Sequence, residues 1–278
     1  MTTLDELASV DLLRLGMWAD EARRARPNGG VVTYLRVHDV RAADLANTPT
    51  IPDAASEVRL YETPAALDEA VGQVRALKSI VGERRIAAFS MAELEQRSQA
   101  GWGAIASVIA TLADAGLSDL AEIPLDQIDS LPQTLRMLQA AHISPSRLTI
   151  SRPVGQRKQD LLEGLRSTLS AYQSVIRFNP LARIAPADKP TTGYDDVRFV
   201  AMSRLALKDC SAAPVSIEVD WSLYGPKLAQ VALTFGADHL DAVPATSDPQ
   251  LGPRRATVED VERNIRAAGF EPQEYRPR

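Results

Sequence analysis

Cysteine is almost absent from this chain of 278 residues, which contains Cys210 alone. A single thiol excludes an intrachain disulfide and any metal site built from several cysteines. The three histidines, His38, His142 and His239, are too scattered along the sequence to indicate a zinc motif. Cys210 follows a predicted helix end and directly follows Asp209, and both features disfavour a reactive thiolate.

Dense basic runs are also absent, and the formal net charge is −5, from 31 Lys and Arg against 36 Asp and Glu. This balance argues against nucleic acid or an anionic membrane surface as a partner. No apolar run approaches the roughly 20 residues that cross a bilayer. The acidic start MTTLDELASV lacks the features of a signal peptide, so we expect a cytoplasmic protein. Glycine-rich dinucleotide and phosphate-loop motifs are missing as well.

Strand and helix patterns alternate about eight times along the chain. The stretch over 215–243 shows one unit clearly: VSIEVDW has strand periodicity, Gly225-Pro226 breaks it, KLAQVALTF forms a helix face and Gly236 ends that helix. Eight such repeats favour a closed α/β barrel of the TIM type. We predict one domain over 1–278, with a single N-terminal helix within 1–30 and a loop and helix over 244–278.

Polar residues at predicted strand exits should line one mouth of such a barrel. In VSIEVDWS, Ser216, Glu218 and Asp220 share the face that we expect to point into the lumen, where enclosed charges need partners. Arg152 and Arg177 either supply those partners or bind a substrate carboxylate. The other residues at predicted strand exits are His38, Asp39, Tyr61, Glu62, Ser90, Glu93, Glu122, Asn179 and Trp221.

Six segments occur in a familiar order: DLLRLGMWADEARR before VVTYLRV, RRIAAFSMAEL, LADAGLSDL before AEI, RFNPLA, TTGYDDVRFVAMSRLAL, and DWSLYGPKLAQVALTFGADHLDAV. Together they resemble the radical S-adenosylmethionine (SAM) barrel enzymes of futalosine-dependent menaquinone synthesis. These are aminofutalosine synthase and cyclic dehypoxanthine futalosine synthase, with the deazaflavin (FO) synthase subunit as a relative. The resemblance covers nearly the whole chain and implies a radical-SAM-type barrel.

The family's CxxxCxxC motif is missing, because RVHDVRAADLANTPTIPDAASEV after the first strand contains no cysteine. In the family, three thiolates hold the [4Fe–4S] cluster that cleaves SAM. The glycine-rich segment before the family's Ala-Glu is shortened to LSDL, and RPVGQRKQ replaces its Gly-His-x-Glu-like run. These departures imply a degenerate member without a cluster, without any other metal and without radical chemistry. Binding of SAM is not expected.

The resemblance also suggests roles for three residues. Glu122 stands at the family's Ala-Glu carboxylate, where it would bind a ribose hydroxyl or act as a base. Trp221 matches the family's tryptophan before the Gly-Pro turn, where it would stack on a purine or an aromatic acid, or pack in the core. Gly225 and the N–H groups after Pro226 would receive an anion, or form a simple turn.

The leading interpretation is a cluster-free accessory or ligand-binding pseudoenzyme of futalosine-dependent menaquinone biosynthesis. One alternative is an active enzyme that uses Glu122, Asp220 and His38 for acid–base chemistry on a futalosine-like nucleoside or a chorismate-derived acid. Another is a structural partner of a cluster-bearing homologue, and a homodimer is also open. The predicted ligand-binding residues are Arg152, Arg177, Asn179, Glu218, Trp221 and Gly225.

Overall fold

The computed structural model describes residues 4–82, 84–145, 147–172, 176–184, 190–210, 215–248, 250 and 252–276. The strands are β1 Val31–Val40, β2 Glu57–Leu60, β3 Arg85–Ser90, β4 Asp119–Pro124, β5 Arg147–Ile150, β6 Arg177–Ala182, β7 Ser216–Asp220, β8 His239–Pro244 and β9 Glu271–Glu274. The α-helices are α1 Leu4–Ser9, α2 Leu12–Arg24, α3 Leu67–Val81, α4 Met91–Arg97, α5 Ile105–Asp114, α6 Leu131–Ala140, α7 Lys158–Leu169, α8 Gly193–Leu207, α9 Trp221–Thr234 and α10 Val258–Ala267. Short 3-10 helices cover Ala42–Asn47, Gly155–Arg157 and Pro253–Arg255.

Strands β1 to β8 form a closed parallel barrel, because each pairs with the next and β8 pairs back with β1. The connecting helices pack around the outside, as right-handed crossovers between parallel strands require. The carboxyl ends of all eight strands therefore lie at one mouth. The closed α/β barrel predicted from the alternating pattern is confirmed.

Strand β1 is ten residues long and has different neighbours at its two ends. Its first four residues pair with β9, and its last four pair with β2. The sequence analysis ended the chain with a loop and a helix and missed β9. The polar tail forms β9 because the first residues of β1 do not pair with β2. Without β9, their backbone N–H and C=O groups would lack partners on that side.

The single N-terminal helix predicted for the start of the chain is wrong, since α1 and α2 are separate. The side chain of Asp11 accepts hydrogen bonds from the backbone N–H groups of Leu13 and Arg14, at 3.0 and 3.2 Å. This cap starts a new helix at Leu12. Helix α2 then packs its buried Leu15 and Ala19 towards α8.

Helix α9 begins directly after β7, earlier than the Gly225-Pro226 turn where the sequence placed it. Asp220 caps it by accepting a hydrogen bond from the backbone N–H of Leu223 at 2.9 Å. Gly225, with φ of 77°, produces a kink inside the helix rather than its start. Within the described ranges, no helix is long and apolar enough to cross a membrane.

We predict that Gly236→Ala destabilises the fold. Gly236 has φ of 101°, and a Cβ there would lie 2.9 Å from side-chain atoms of Arg204 and 3.2 Å from the Cβ of Ala19. The backbone strain alone costs roughly 1–3 kcal/mol. The matched control is Gly164→Ala on α7, where nothing lies within 4 Å and helix propensity favours alanine by about 1 kcal/mol. Urea unfolding should shift in opposite directions for the two variants, and a shift in the same direction would contradict the packing described.

Candidate functional site

Charged side chains fill the lumen of the barrel. In β2, Glu57 and Arg59 point inward, whereas Val58 and Leu60 alternate with them and pack in the hydrophobic core outside the barrel. Arg59 is fully buried and donates from Nε to Glu57 Oε1 at 2.6 Å. Its two Nη atoms donate to both carboxylate oxygens of Asp241, each at 2.7 Å. This bidentate pair joins β2 to β8 across the lumen.

Arg147 at the start of β5 makes the second set of lumen contacts. Its Nε donates to Glu218 Oε1 at 2.8 Å, and its Nη2 donates to Asp220 Oδ2 at 3.0 Å. The same Nη2 lies 2.8 Å from Asp241 Oδ2. Asp241 therefore receives guanidinium groups from two walls of the barrel. The polar face expected for β7 does point into the lumen, and its charges are paired there.

Arg177 occupies the amino end of the lumen, because it is the first residue of β6. The prediction that Arg177 lies at a strand exit is wrong. Its guanidinium lies 3.7–3.9 Å from Glu57, Glu218 and Asp241, and its Nη1 lies 3.2 Å from His239 Nε2. A guanidinium can only donate, so Nε2 of His239 accepts and its Nδ1 carries the proton.

The titration of the lumen groups follows from burial and from these pairs. Burial by itself raises the pKa of the Asp241 carboxyl, but Arg147 and Arg59 together hold that pKa well below its ordinary value. Burial raises the pKa of Glu218, and the neighbouring Asp241 adds to this shift. Burial and the positive charge of Arg177 place the pKa of His239 well below its ordinary value, so its imidazole is neutral.

Glu218, His239 and Asp241 place one potential ligand atom each within 4.8 Å of one another, a spacing that suits a metal ion. However, Arg147 already binds both carboxylates, and Arg177 faces Nε2 of the imidazole. A metal would have to displace guanidinium groups that already neutralise these acids. We therefore assign the three residues to the ion-pair network.

The residues of the chain do not fit a [4Fe–4S] cluster. The segment between β1 and β2 has no cysteine, and such clusters need several thiolates. Cys210 follows α8, at the opposite end of the barrel from the strand exits. Its Sγ lies 3.7 Å from the carbonyl oxygen of Arg166, and burial raises the pKa of its thiol.

At the mouth, Arg183 joins two of the predicted catalytic acids. Its Nε lies 3.0 Å from Glu122 Oε2, and its Nη1 donates to Asp220 Oδ2 at 3.2 Å. The other oxygen of Asp220 accepts from Ser222 Oγ and from the backbone N–H of Leu223, both at 2.9 Å. Asp220 is thus fully engaged as a helix cap and ion-pair partner, and it has no free oxygen to act as a base.

His38 does not join Glu122 and Asp220. It lies in register with Val58, whose side chain packs between the barrel and the helices, whereas the next residue Asp39 lies in register with Arg59. Burial lowers the pKa of the half-buried His38. The expected catalytic set is therefore split between two faces of the barrel wall.

The remaining predicted ligand-binding residues occupy separate places. Asn179 is fully buried, and its Oδ1 accepts a hydrogen bond from the backbone N–H of Leu181 at 3.0 Å. Trp221 is buried in the hydrophobic core, as its packed-core interpretation predicted. Gly225 lies against the Arg254 side chain, 3.5 Å from where its Cβ would be.

A cavity of about 460 Å³ lies at the carboxyl ends of β5 and β6. Its apolar lining comes from Ile150, Pro153, Val154, Pro180, Ala182, Pro190 and Phe199, and its charged lining comes from Arg152, Lys158, Asp195 and Asp196. A concave apolar surface with a few convergent charges is the usual form of a small-molecule site. Of the predicted site residues, Arg152 alone lines this cavity.

The charged groups of the cavity are held by the surrounding loops and helices. Asp126 accepts hydrogen bonds from the backbone N–H groups of Ser151 and Arg152, at 2.7 and 2.9 Å, and so fixes the turn after β5. The Nζ of Lys158 lies 5.1 Å from the centre of the Phe199 ring, and burial lowers its pKa. The two cations of the lining are matched by Asp195 and Asp196, so the arrangement can bind a molecule that carries a charged group beside an apolar or ring portion.

Comparison with known proteins shows the fold. The chain is similar to methylornithine synthase (PylB), with 13% identity and a TM-score of 0.66 over 98% of this chain and 94% of that one. It is also similar to 3-dehydroquinate dehydratase from Geobacillus kaustophilus HTA426, with 13% identity and a TM-score of 0.50 over 85% and 90% of the two chains. No family model and no curated protein matches it. The TIM-like α/β barrel predicted from the sequence is confirmed, and its radical-SAM type stays a prediction.

The sequence analysis missed most of the lumen network, namely Glu57, Arg59, Arg147, His239 and Asp241, and it missed Arg183 at the mouth. The available signal was the alternation of charged and apolar residues in EVRL and HLDAV, the same period that identified the inward face of β7. The lining of the cavity by Lys158 was also missed. No motif marks it, because the cavity forms only where two loops meet.

We predict that His239 makes stability fall as the pH decreases below about 6.5, the ordinary pKa of histidine. The unfolded chain then binds a proton that the folded His239, with its lowered pKa, does not bind. One such proton weakens folding by up to about 1.4 kcal/mol per pH unit. His239→Asn keeps a donor for Thr33 Oγ1 and should flatten this slope. Urea unfolding between pH 7.5 and 5 measures the slope of the unfolding free energy against pH. Equal slopes for the unchanged chain and for His239→Asn would contradict the neutral imidazole.

Proposed function

We propose that this chain is a cluster-free radical-SAM-like protein that binds a small metabolite of futalosine-dependent menaquinone biosynthesis without radical chemistry. The observation that carries this proposal is the division of the barrel into a lumen closed by ion pairs and an open cavity at the strand exits. The pathway assignment is supported by the resemblance of six ordered segments to its barrel enzymes.

The lumen argues for binding rather than catalysis. The acids Glu218, Asp220 and Asp241 all contact Arg147, so their charges are already compensated. Asp220, the expected base, also caps α9. An accessory or ligand-binding role therefore fits the geometry better than acid–base catalysis by the predicted residues.

The cavity between β5 and β6 suits a molecule with one acidic group. Arg152 and Lys158 offer positive charge at its edge, with Asp195 and Asp196 beside Lys158, while Phe199 and Pro180 offer apolar surface for a ring. Chorismate-derived acids and nucleosides of the futalosine pathway both have this combination. We expect one of them, rather than SAM, to be the ligand.

Ligand binding is tested by thermal unfolding in the presence of futalosine-pathway nucleosides, chorismate-derived acids and SAM. One of the first two classes should raise the unfolding midpoint, because a ligand that binds only the folded state stabilises it. Arg152→Ala should weaken the effect by about tenfold in Kd, the loss of one charged hydrogen bond of roughly 1.5 kcal/mol. Arg75→Ala, an exposed arginine on α3, is the matched control and should leave it unchanged.

Two results would count against the proposed site. If no compound of these classes shifts the midpoint, the binding role fails. If a shift persists unchanged in both Arg152→Ala and Lys158→Ala, the ligand binds elsewhere.

Iron content tests the absence of radical chemistry. After anaerobic treatment with iron and sulfide, we expect colourless protein whose bound iron equals that of a Cys210→Ser control. One buried thiol does not hold a cluster that requires several thiolates. Stoichiometric iron with visible absorption that disappears in Cys210→Ser would overturn the cluster-free assignment.

A further inference from the structure

At the amino end of the barrel, opposite the proposed ligand cavity, several arginines share one carboxylate. Asp238 precedes β8, and its Oδ2 accepts a hydrogen bond from Arg26 Nη1 at 2.5 Å and lies 2.7 Å from Arg204 Nη2. Its Oδ1 accepts the backbone N–H of Ile217 at 2.8 Å. Both oxygens of this carboxylate are therefore occupied.

Arg23 is a third cation in the same place and is 1% exposed. Its Nη2 donates to the backbone carbonyl of Val31 at 3.0 Å, and its guanidinium stacks 3.6 Å from the centre of the Phe270 ring. Its Nε and Nη1 are buried and have no hydrogen-bond partner. A buried guanidinium with two unpaired donor nitrogens is energetically unfavourable unless an acceptor joins it.

The local charge is not balanced by the acids nearby. Arg24 is engaged with Asp20 through a 2.7 Å ion pair. Arg23, Arg24, Arg26 and Arg204 therefore face two acids, Asp20 and Asp238, which leaves an excess of two positive charges. Burial lowers the pKa of Arg23 to about 10, opposed by Asp238 and reinforced by Arg204. The cluster retains an excess of positive charge inside the described part of the protein.

A cavity of about 140 Å³ opens beside this cluster. It is lined by Arg23, Arg26, Pro27, Asn28, Gly29, Val31, Thr33, Ser216, Asp238 and Gln273, a set rich in hydrogen-bonding side chains. The turn that carries Arg26 is tightly built, because a Cβ on Gly29 would lie 2.5 Å from the carbonyl oxygens of Arg23 and Arg24. The backbone that carries Arg23 and Arg26 is thus closely packed.

We propose that this cavity is a second binding site, which takes a small oxyanion between Arg23 and Arg26. On binding, the Arg23 guanidinium turns its buried Nε and Nη1 towards the oxyanion, which accepts their hydrogen bonds and neutralises the excess positive charge. The cavity is small enough to limit the ligand to a phosphate, a sulfate or a single carboxylate group. Asp238 repels this anion, but the charge of Asp238 is already compensated by Arg26 and Arg204.

The test is thermal unfolding of the full chain in inorganic phosphate, sulfate or acetate, at constant ionic strength set by sodium chloride. At least one oxyanion should raise the midpoint saturably, by about 5–10 °C at about 100 times its Kd. A rise with phosphate or sulfate alone indicates a tetrahedral ligand, and a rise with acetate alone indicates a carboxylate. Line broadening of the phosphorus resonance of free phosphate gives a direct second readout for that anion.

Variants locate the effect. Arg26→Gln should abolish the saturable rise. Arg24→Gln removes the same charge from a residue that does not line the cavity, and it should keep the rise. Arg23→Met retains the packing on Phe270 and should also lose the rise. If Arg23→Met does not fold, the Arg26 and Arg24 pair still decides.

Three results would overturn the site: no oxyanion effect beyond that of chloride, equal loss in Arg24→Gln and Arg26→Gln, or loss in Arg152→Ala instead. The last result would move the anion to the cavity at the strand exits. If the amino-end site fails, the ligand screen for the cavity at the strand exits is unaffected, because the two cavities share no lining residue.

Discussion

The carboxylate of Asp241 is the point on which the interior of this barrel depends. It is fully buried on β8 and is bound by Arg59 from β2 and by Arg147 from β5. A buried ion costs several kcal/mol in lost hydration, and removing one partner from such a pair typically costs 3–5 kcal/mol. The lumen charges are therefore interdependent. They make the described part of the lumen a packed core of ion pairs.

In our proposal, ligands therefore bind at the two ends of the barrel. At the carboxyl end, the turns after β5 and β6 leave a cavity whose edge carries Arg152 and Lys158. At the amino end, Arg23 retains unpaired donors beside a smaller cavity. The two candidate sites thus lie at opposite ends of the barrel, separated by the paired charges of the lumen.

The repeat of strand and helix patterns was enough to predict the closed barrel, because the two hydrophobic periods differ clearly. The inward face of β7, with Glu218 and Asp220, followed from the same reasoning. His38 was misplaced because β1 continues three residues beyond VVTYLRV, to Val40, so His38 lies within the strand and on the face opposite to Asp39. Arg177 was misplaced because the sequence did not show where β6 begins. Which arginine meets which acid depends on the stagger of the strands, and this is not visible in any local pattern.

A double-mutant cycle on Arg147 and Glu218 tests most directly whether the lumen charges compensate one another. Their Nε and Oε1 atoms lie 2.8 Å apart. We predict that Arg147→Met and Glu218→Gln each destabilise the protein, and that the double variant loses less than the sum, with a coupling of about 1–3 kcal/mol in urea unfolding. Additive losses, within about 0.5 kcal/mol, would contradict the account and return these acids to the list of groups free to bind a ligand or metal.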